Sequence, residues 1–148
     1  TKDELFLACI EECFQLLTRY LAEKMQNVEG KVEEQMEQYF TARMDFFGKN
    51  PIYQRIFCEA VITPPAHLKK EIQERKKDFD TLNIRILESL LSELPLQSHM
   101  TKDEVIETFQ QFQDFINVKY PTAELAQHEK KCRRALKILL YGVIDRKE

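Results

Sequence analysis

The sequence is poor in the residues that interrupt helices, with only three glycines and five prolines among 148 residues. Collagen, glycine-rich linkers and turn-dense β folds need more of both residue types. Long uncharged stretches are missing too. The longest extends from Ala60 to Leu68, which is too short for a membrane-spanning helix. No basic segment followed by a short apolar run opens the chain, so we expect no secretory signal and a cytoplasmic protein.

The chain has no excess of basic charge, because it contains 22 lysines and arginines and 25 acidic residues, which gives a net charge of −3. A protein that binds nucleic acid on its own usually has a strong basic excess, since contacts with phosphates provide most of the affinity. We therefore expect this chain alone not to bind DNA specifically. Two basic clusters, within 69–77 and 130–137, mix with acids or lie opposite apolar stripes, which indicates solvated helix faces.

Motifs for catalysis are also missing, since the sequence has no GxSxG, no HExxH and no glycine-rich phosphate loop. The four cysteines form no CxxC pair and are typical of reduced, packed thiols. His128 with Cys132, and His67 with Glu71, have the spacing for chelation on a helix, but neither pair has an evident third ligand. We expect no enzymatic activity, no cofactor and no metal site.

Helix signals divide the chain into six segments. Capping boxes, in which a Thr and the Glu three residues later cap each other, begin at Thr1 and Thr101. Strand signals are nearly absent. The sequence therefore predicts an all-α fold in a single domain over residues 1–148. The predicted helices cover residues 5–25, 31–47, 51–61, 66–94, 101–119 and 123–146.

Polar residues interrupt the apolar faces of three predicted helices, at Arg43, Asn83 and Gln113. An Arg within an apolar stripe must reach solvent, pair with a carboxylate or face a cavity that holds something polar. An internal ion pair and a ligand pocket remain equal alternatives for Arg43, whereas Asn83 and Gln113, each taken alone, are more typical of ordinary amides at the boundary of the core. In the pocket alternative, Arg43 and Tyr39 anchor a polar or anionic end of a largely apolar ligand. The predicted pocket, among the first, second, fourth and fifth helices, consists of Cys13, Leu17, Met36, Tyr39, Phe40, Arg43, Phe47, Phe79, Asn83, Ile86, Phe109 and Gln113.

The last two predicted helices carry more apolar residues than one face can hold. Phe115 and Val118 lie off the main stripe, and residues 138–144 are apolar all round. We expect a homodimer that buries this surface in a two-fold four-helix bundle. The alternative is that these residues pack against the first helix within one chain. The predicted interface residues are Phe115, Val118, Leu136, Leu140, Tyr141, Val143 and Ile144.

The opening segment, Thr1-Lys2-Asp3-Glu4-Leu5-Phe6-Leu7-Ala8, resembles the segment after the DNA-recognition helix in TetR-family transcriptional regulators. The helix order is similar as well. The resemblance implies an effector-binding and dimerisation domain that binds a small, largely apolar molecule. It also implies DNA binding by an N-terminal helix-turn-helix that is not in this chain. The alternatives are a helical protein-interaction module without a ligand and, less favoured, a small helical enzyme or metal carrier.

Overall fold

The computed structural model of the chain describes residues 1–119 and 124–145. Within these ranges the chain forms six α-helices and no β-strand longer than a single bridge, which confirms the all-α prediction. None of the described helices combines the length and the hydropathy that a membrane span requires. The helices are α1 (Lys2–Gln26), α2 (Val32–Lys49), α3 (Pro51–Val61), α4 (Lys69–Ser92), α5 (Lys102–Lys119) and α6 (Leu125–Val143).

Two of these helices begin at the predicted capping boxes. The backbone N–H of Glu4 donates to the Thr1 hydroxyl at 3.2 Å, and that of Glu104 donates to the Thr101 hydroxyl at the same distance. These bonds satisfy N–H groups that a helix start leaves without a helical partner. Between α1 and α2, Gly30 has a φ of 100°, a backbone conformation that disfavours other residues. Local sequence therefore sets where α1 and α5 start and where the chain turns between α1 and α2.

The fourth helix starts one turn later than predicted. Residues Ala66–Leu68 form a turn of 3₁₀ helix, in which the Leu68 N–H donates to the Pro65 carbonyl at 3.0 Å. The α-helix begins only at Lys69. Pro65 has extended backbone angles, so the chain enters the helix through this tighter turn.

The sixth helix ends at Val143, three residues before the predicted end. Ile144 is extended and forms an isolated antiparallel bridge with Leu96 in the loop between α4 and α5. The Gln97 N–H donates to the Val143 carbonyl at 2.9 Å, which fastens the end of α6 to that loop. The predicted start of this helix at residue 123 and its predicted end at 146 lie outside the described residues.

Two apolar clusters form the core, and α2 contributes to both. The first surrounds α1, whose broad apolar face packs against α2, α3 and α4. The second joins α2 and α4 to α5 and α6. Because α2 lies between the clusters, its side chains reach both halves of the domain. The buried residues of the second cluster are Met36, Tyr39, Phe40, Leu87, Leu90, Leu91, Val105, Ile106, Phe109, Leu136, Leu140, Val143 and Ile144.

The second cluster corrects the expectation that a monomer would expose the whole run at the end of α6. Four of the predicted interface residues are at most 8% exposed within one chain: Leu136, Leu140, Val143 and Ile144. They pack onto the second cluster because α6 turns this face toward its own protomer. Phe115 and Tyr141 remain exposed, as does Ile138. The Val118 side chain lies outside the described part of the structure.

Candidate functional site

Buried polar side chains from three helices meet beside α2. Tyr39 and Arg43 are one turn apart on α2, so both face α4 and α5. Arg43 is 3% exposed, and it donates through Nη1 to Asp114 Oδ1 at 2.9 Å and through Nη2 to Asn83 Oδ1 at 3.1 Å. The Tyr39 hydroxyl donates to the same Asn83 oxygen. Asn83 in turn donates through Nδ2 to the Phe79 carbonyl at 2.7 Å. We call Tyr39, Arg43, Asn83 and Asp114 the Arg43 network.

Aromatic rings surround the guanidinium of this network. Arg43 Cζ lies 5.0 Å from the centroid of Phe79 and 5.4 Å from that of Phe57. The two rings also contact Phe14, at centroid distances of 5.2 and 6.0 Å. A cation above an aromatic face is stabilised by the negative charge of that face, and the effect grows where water is excluded. Both the rings and the carboxylate of Asp114 therefore stabilise the buried charge of Arg43.

The Arg43 network borders a cleft of about 320 Å³ between α4 and α5, which Arg43, Asn83 and Asp114 help to line. Asp114 is 32% exposed, so it is a half-buried carboxylate at the cleft and not a core residue. Of the nitrogens of the Arg43 side chain, Nε is buried without a hydrogen-bond partner. The structure thus contains the internal ion pair, one of the two alternatives for Arg43, and it also places this residue at an open cleft. Ligand contact by Arg43 stays a prediction.

Burial changes the acidity of two groups at the cleft. It raises the pKa of Tyr39 to about 12, while the nearby charge of Arg43 acts in the opposite direction. Tyr39 therefore stays a neutral phenol and can donate to Asn83. Burial also raises the pKa of Asp80, and the ammonium of Lys76, 3.5 Å away, opposes that shift.

A second, smaller space lies between α2, α5 and α6. Its volume is about 10 Å³, which is room for about one water molecule. Gln113 lines it and is 2% exposed, yet neither its amide nitrogen nor its amide oxygen has a hydrogen-bond partner among the residues that the structure describes. An unsatisfied buried polar group costs about 1–3 kcal/mol. We call this space the Gln113 cavity. Thr41 also lines it, with its hydroxyl bonded to the Gln38 carbonyl, and the apolar walls are Phe40, Met44, Ile116, Cys132 and Leu136.

Arg133 on α6 also lines the Gln113 cavity and joins two helices beside it. Its Nε lies 3.2 Å from Glu37 Oε1 on α2, and its Nη2 lies 2.5 Å from Glu129 Oε1 on α6. Arg133 is 46% exposed, so each ion pair is weakened by water and salt. The pair with Glu37 nevertheless spans the α2–α6 boundary where the cavity lies.

The predicted pocket residues do not form a single lining. Arg43, Phe79 and Asn83 line the polar cleft, and Phe40 and Gln113 line the Gln113 cavity. Tyr39 reaches the cleft through Asn83. The other six predicted residues pack in the two apolar clusters and line neither space: Cys13, Leu17, Met36, Phe47, Ile86 and Phe109.

Many lining residues of the two spaces were not assigned by sequence, and two of them, Asp114 and Arg133, form ion pairs with residues of α2. The pattern around Arg43 allows a carboxylate partner, but no spacing rule relates α2 to a residue 71 positions away. Asp114 does follow the predicted pocket residue Gln113 directly, which is a weak signal for its position. Arg133 belongs to a basic cluster that favours a solvated face, so nothing in the sequence pointed to Glu37.

Among the described residues, the structure adds no further candidate metal ligand to the histidine and cysteine pairs considered from the sequence. Within residues 1–119 and 124–145, no three His, Cys, Asp or Glu side chains are grouped to hold a metal ion. His67 is paired instead with Asp3 at the start of α1, at 3.1 Å. All four cysteines are free, and the Cys13 thiol donates to the Tyr53 carbonyl at 3.6 Å.

Comparison with known families assigns the fold. Residues 30–140 match the family described as tetracyclin repressor-like, C-terminal domain, which is three quarters of the chain. The chain belongs to this family. The matched region runs from the loop before α2 to near the end of α6, so it contains both the Arg43 network and the Gln113 cavity. The opening segment that resembles TetR-family regulators lies outside it and is a separate indication of the same family. No curated protein matches the chain.

Proposed function

We propose that this chain is the effector-binding and dimerisation domain of a TetR-like transcriptional regulator. A small, largely apolar molecule binds among the helices and controls DNA binding by a helix-turn-helix outside this chain. Membership of the tetracyclin repressor-like family supports the regulator assignment. One observation supports ligand binding above others: the buried amide of Gln113 borders a space with mainly apolar walls, while Arg43 and Asn83 border the polar cleft. Apolar walls with a few polar groups are typical of small-molecule sites.

The position of α1 supports the proposed control of DNA binding. In the resemblance to TetR regulators, α1 continues from the DNA-recognition helix. Its buried face packs against α2, α3 and α4, and these helices carry Arg43, Phe57 and Asn83. A ligand that favours one arrangement of α2 and α4 would therefore favour one position of α1. The free energy of that preference is the coupling between effector and DNA.

Exposed apolar side chains on α5 and α6 support dimerisation. Ile138 is 68% exposed and Phe115 is 54% exposed. Beside Ile138, a largely apolar groove of about 460 Å³ is lined by residues of both helices, including Val105 and Leu139. A second copy that covers this groove would remove both the groove and Ile138 from water.

Charge on the two helices supports a second copy as the occupant. α5 carries four carboxylates and two lysines, whereas α6 carries five basic side chains and one glutamate. A two-fold arrangement in which α5 of one copy lies against α6 of the other brings opposite charges together. The same arrangement keeps like-charged helices apart.

Sedimentation at micromolar concentration tests the proposed dimer. Wild type should sediment as a dimer, and Ile138→Glu should sediment as a monomer because it places a carboxylate in the interface. Ile52→Glu is the matched control, since Ile52 is similarly exposed, at 71%, but lies on α3. A wild-type monomer, or a dimer that survives Ile138→Glu, would refute this part of the proposal.

The effector part is tested with the intact regulator. Its binding to its own upstream DNA should weaken or strengthen when the effector is added, and this chain alone should show no specific binding. An intact protein whose DNA binding responds to no small molecule would favour the alternative of an interaction module without a ligand.

A further inference from the structure

We propose that the effector site is the Gln113 cavity and that its ligand class is a neutral, largely apolar molecule carrying an amide-like group. The Gln113 carboxamide would donate to the carbonyl oxygen of that group and accept from its N–H. This inference rests on the proposed function and specifies the site and the ligand chemistry. It assigns the effector to the Gln113 cavity and not to the polar cleft, where Arg43 already donates hydrogen bonds to Asp114 and Asn83.

Four polar side chains are buried among the described residues: Arg43, Gln54, Asn83 and Gln113. The protein provides partners for the first three. Gln113 differs, because both polar atoms of its amide are buried and neither has a partner. Buried polar groups in folded proteins are almost always hydrogen-bonded, so a lone donor and acceptor beside a cavity point to a partner from outside the chain.

The walls of the cavity define the rest of the ligand. Phe40, Met44, Ile116 and Leu136 are apolar, so they favour a hydrocarbon body. Among the described lining residues, the charged side chain is Arg133, and it is already paired with two carboxylates. An anionic or cationic ligand would be desolvated there without a free counter-charge, which is costly. A neutral amide or lactam offers the complementary donor and acceptor without that cost.

The cavity as it stands is too small for such a molecule, so binding must widen it. Cys132 and Leu136 place α6 in its wall, and the Arg133–Glu37 pair joins α6 to α2 at the same place. A ligand that enters would therefore push α6 away from α2 and strain or break this pair. α6 also carries Ile138, the central residue of the proposed dimer face. Ligand binding and dimer geometry are coupled because they move the same helix.

The test uses ε-caprolactam as the probe, since its ring is apolar and its amide presents N–H and C=O side by side. Its N-methyl derivative, which lacks the donor, is the ligand control. Thermal melts of wild type are compared with those of Gln113→Leu, which replaces the amide by an apolar side chain of similar size. Gln73→Leu is the matched control variant, because Gln73 lies exposed on α4. The side-chain NH₂ signal of Gln113 in ¹⁵N spectra reports contact directly.

Caprolactam should raise the melting temperature of wild type and of Gln73→Leu, and it should shift the Gln113 NH₂ signal. Binding of the N-methyl derivative to wild type should be about tenfold weaker than that of caprolactam, because one hydrogen bond is lost. Binding of caprolactam to Gln113→Leu should weaken by more than about tenfold, because both hydrogen bonds are lost. Without probe, Gln113→Leu should melt at or above the wild-type temperature, since it removes two unsatisfied groups.

Three results would overturn the proposal. The first is an unmoved Gln113 NH₂ signal at millimolar caprolactam, and the second is equal binding by Gln113→Leu. The third is an unliganded Gln113→Leu that melts well below wild type, which would indicate a structural water as the only partner of the amide. If Gln113→Leu does not fold, the NH₂ signal of wild type still decides. The dimer test with Ile138→Glu and the DNA-binding response of the intact regulator are independent of this probe, so failure here leaves the proposed function standing.

Discussion

Replacing Arg43 by Met is the most informative perturbation of the Arg43 network. Met is unbranched and can occupy the space of the Arg stem between the rings of Phe57 and Phe79. The change therefore removes the charge and two hydrogen bonds while preserving most of the apolar packing. Asn83 Oδ1 still accepts from the Tyr39 hydroxyl, so it does not become unsatisfied.

The expected loss of stability depends on how well water solvates the Asp114 carboxylate once Arg43 is removed. Breaking a fully buried ion pair costs about 3–5 kcal/mol, because the remaining charge is stranded away from water. Asp114 is 32% exposed, so water can solvate it once Arg43 is gone. We therefore expect Arg43→Met to lower the free energy of unfolding by about 1.5–3 kcal/mol, the range for hydrogen bonds to charged groups.

Urea unfolding followed by circular dichroism measures this loss, with protomer concentration held fixed because a dimer's stability depends on it. A double-mutant cycle with Asp114→Asn isolates the pair, and we expect a coupling energy of about 1 kcal/mol. Arg85→Met is the control, because Arg85 lies exposed on the same helix as Asn83 and its loss should change stability by less than about 0.5 kcal/mol.

An Arg43→Met protein as stable as wild type, together with zero coupling to Asp114, would refute the structural role of the ion pair. Arg43 would then be free to serve a ligand alone. A loss above about 5 kcal/mol would instead show that Asp114 is solvated far less than its exposure indicates.

Two further predictions follow from the titrating groups. Hydrogen bonds from Thr101 lower the pKa of Glu104, so in Thr101→Ala that pKa should rise toward its ordinary value in an NMR titration. Because the folded-state pKa is the lower one, the stability that this contact provides is present above the unfolded pKa and is lost as pH falls through the folded pKa. The stability gap between wild type and Thr101→Ala should therefore narrow on acidification, and a gap that widens would contradict the assignment. Burial raises the pKa of Cys13 to about 12, so at pH 8 iodoacetamide should leave Cys13 unmodified in the folded protein and modify it in urea, as read by peptide mass mapping. Rapid modification of folded Cys13 would show that α1 and α3 separate readily.

The helices of this fold could be predicted because their signals are local. A capping box at Thr1 or Thr101 and the proline at position 51 act within one turn of the helix they start. The end of α6 could not be predicted in the same way. It depends on pairing between Ile144 and Leu96, which lie far apart in sequence.

The candidate site was predictable only in part, for the same reason. Periodicity indicates that Arg43, Asn83 and Gln113 face the interior, because that follows from the position of each in its own helix. It cannot indicate that Arg43 would find Asp114 while Gln113 would find no partner. The prediction for the apolar run at 138–144 is limited in a similar way. Helical periodicity cannot distinguish the side that packs on its own protomer from the side that is left exposed.

The bridge between Leu96 and Ile144 holds the C-terminal end of α6 against the loop between α4 and α5. The last turn of α6 is hydrogen-bonded to this loop, so the helix cannot slide along its axis without breaking the Gln97–Val143 bond. A rotation about that end would keep this bond. Cys132 is eleven residues from Val143, an arm of about 16 Å at 1.5 Å per residue, so a rotation of about 10° would displace it by about 3 Å. Ile138 is less than half as far from Val143 as Cys132 is, so the same rotation would move it by less than half as much. A rotation of α6 that widens the Gln113 cavity would thus change the tilt of the proposed dimer face only slightly.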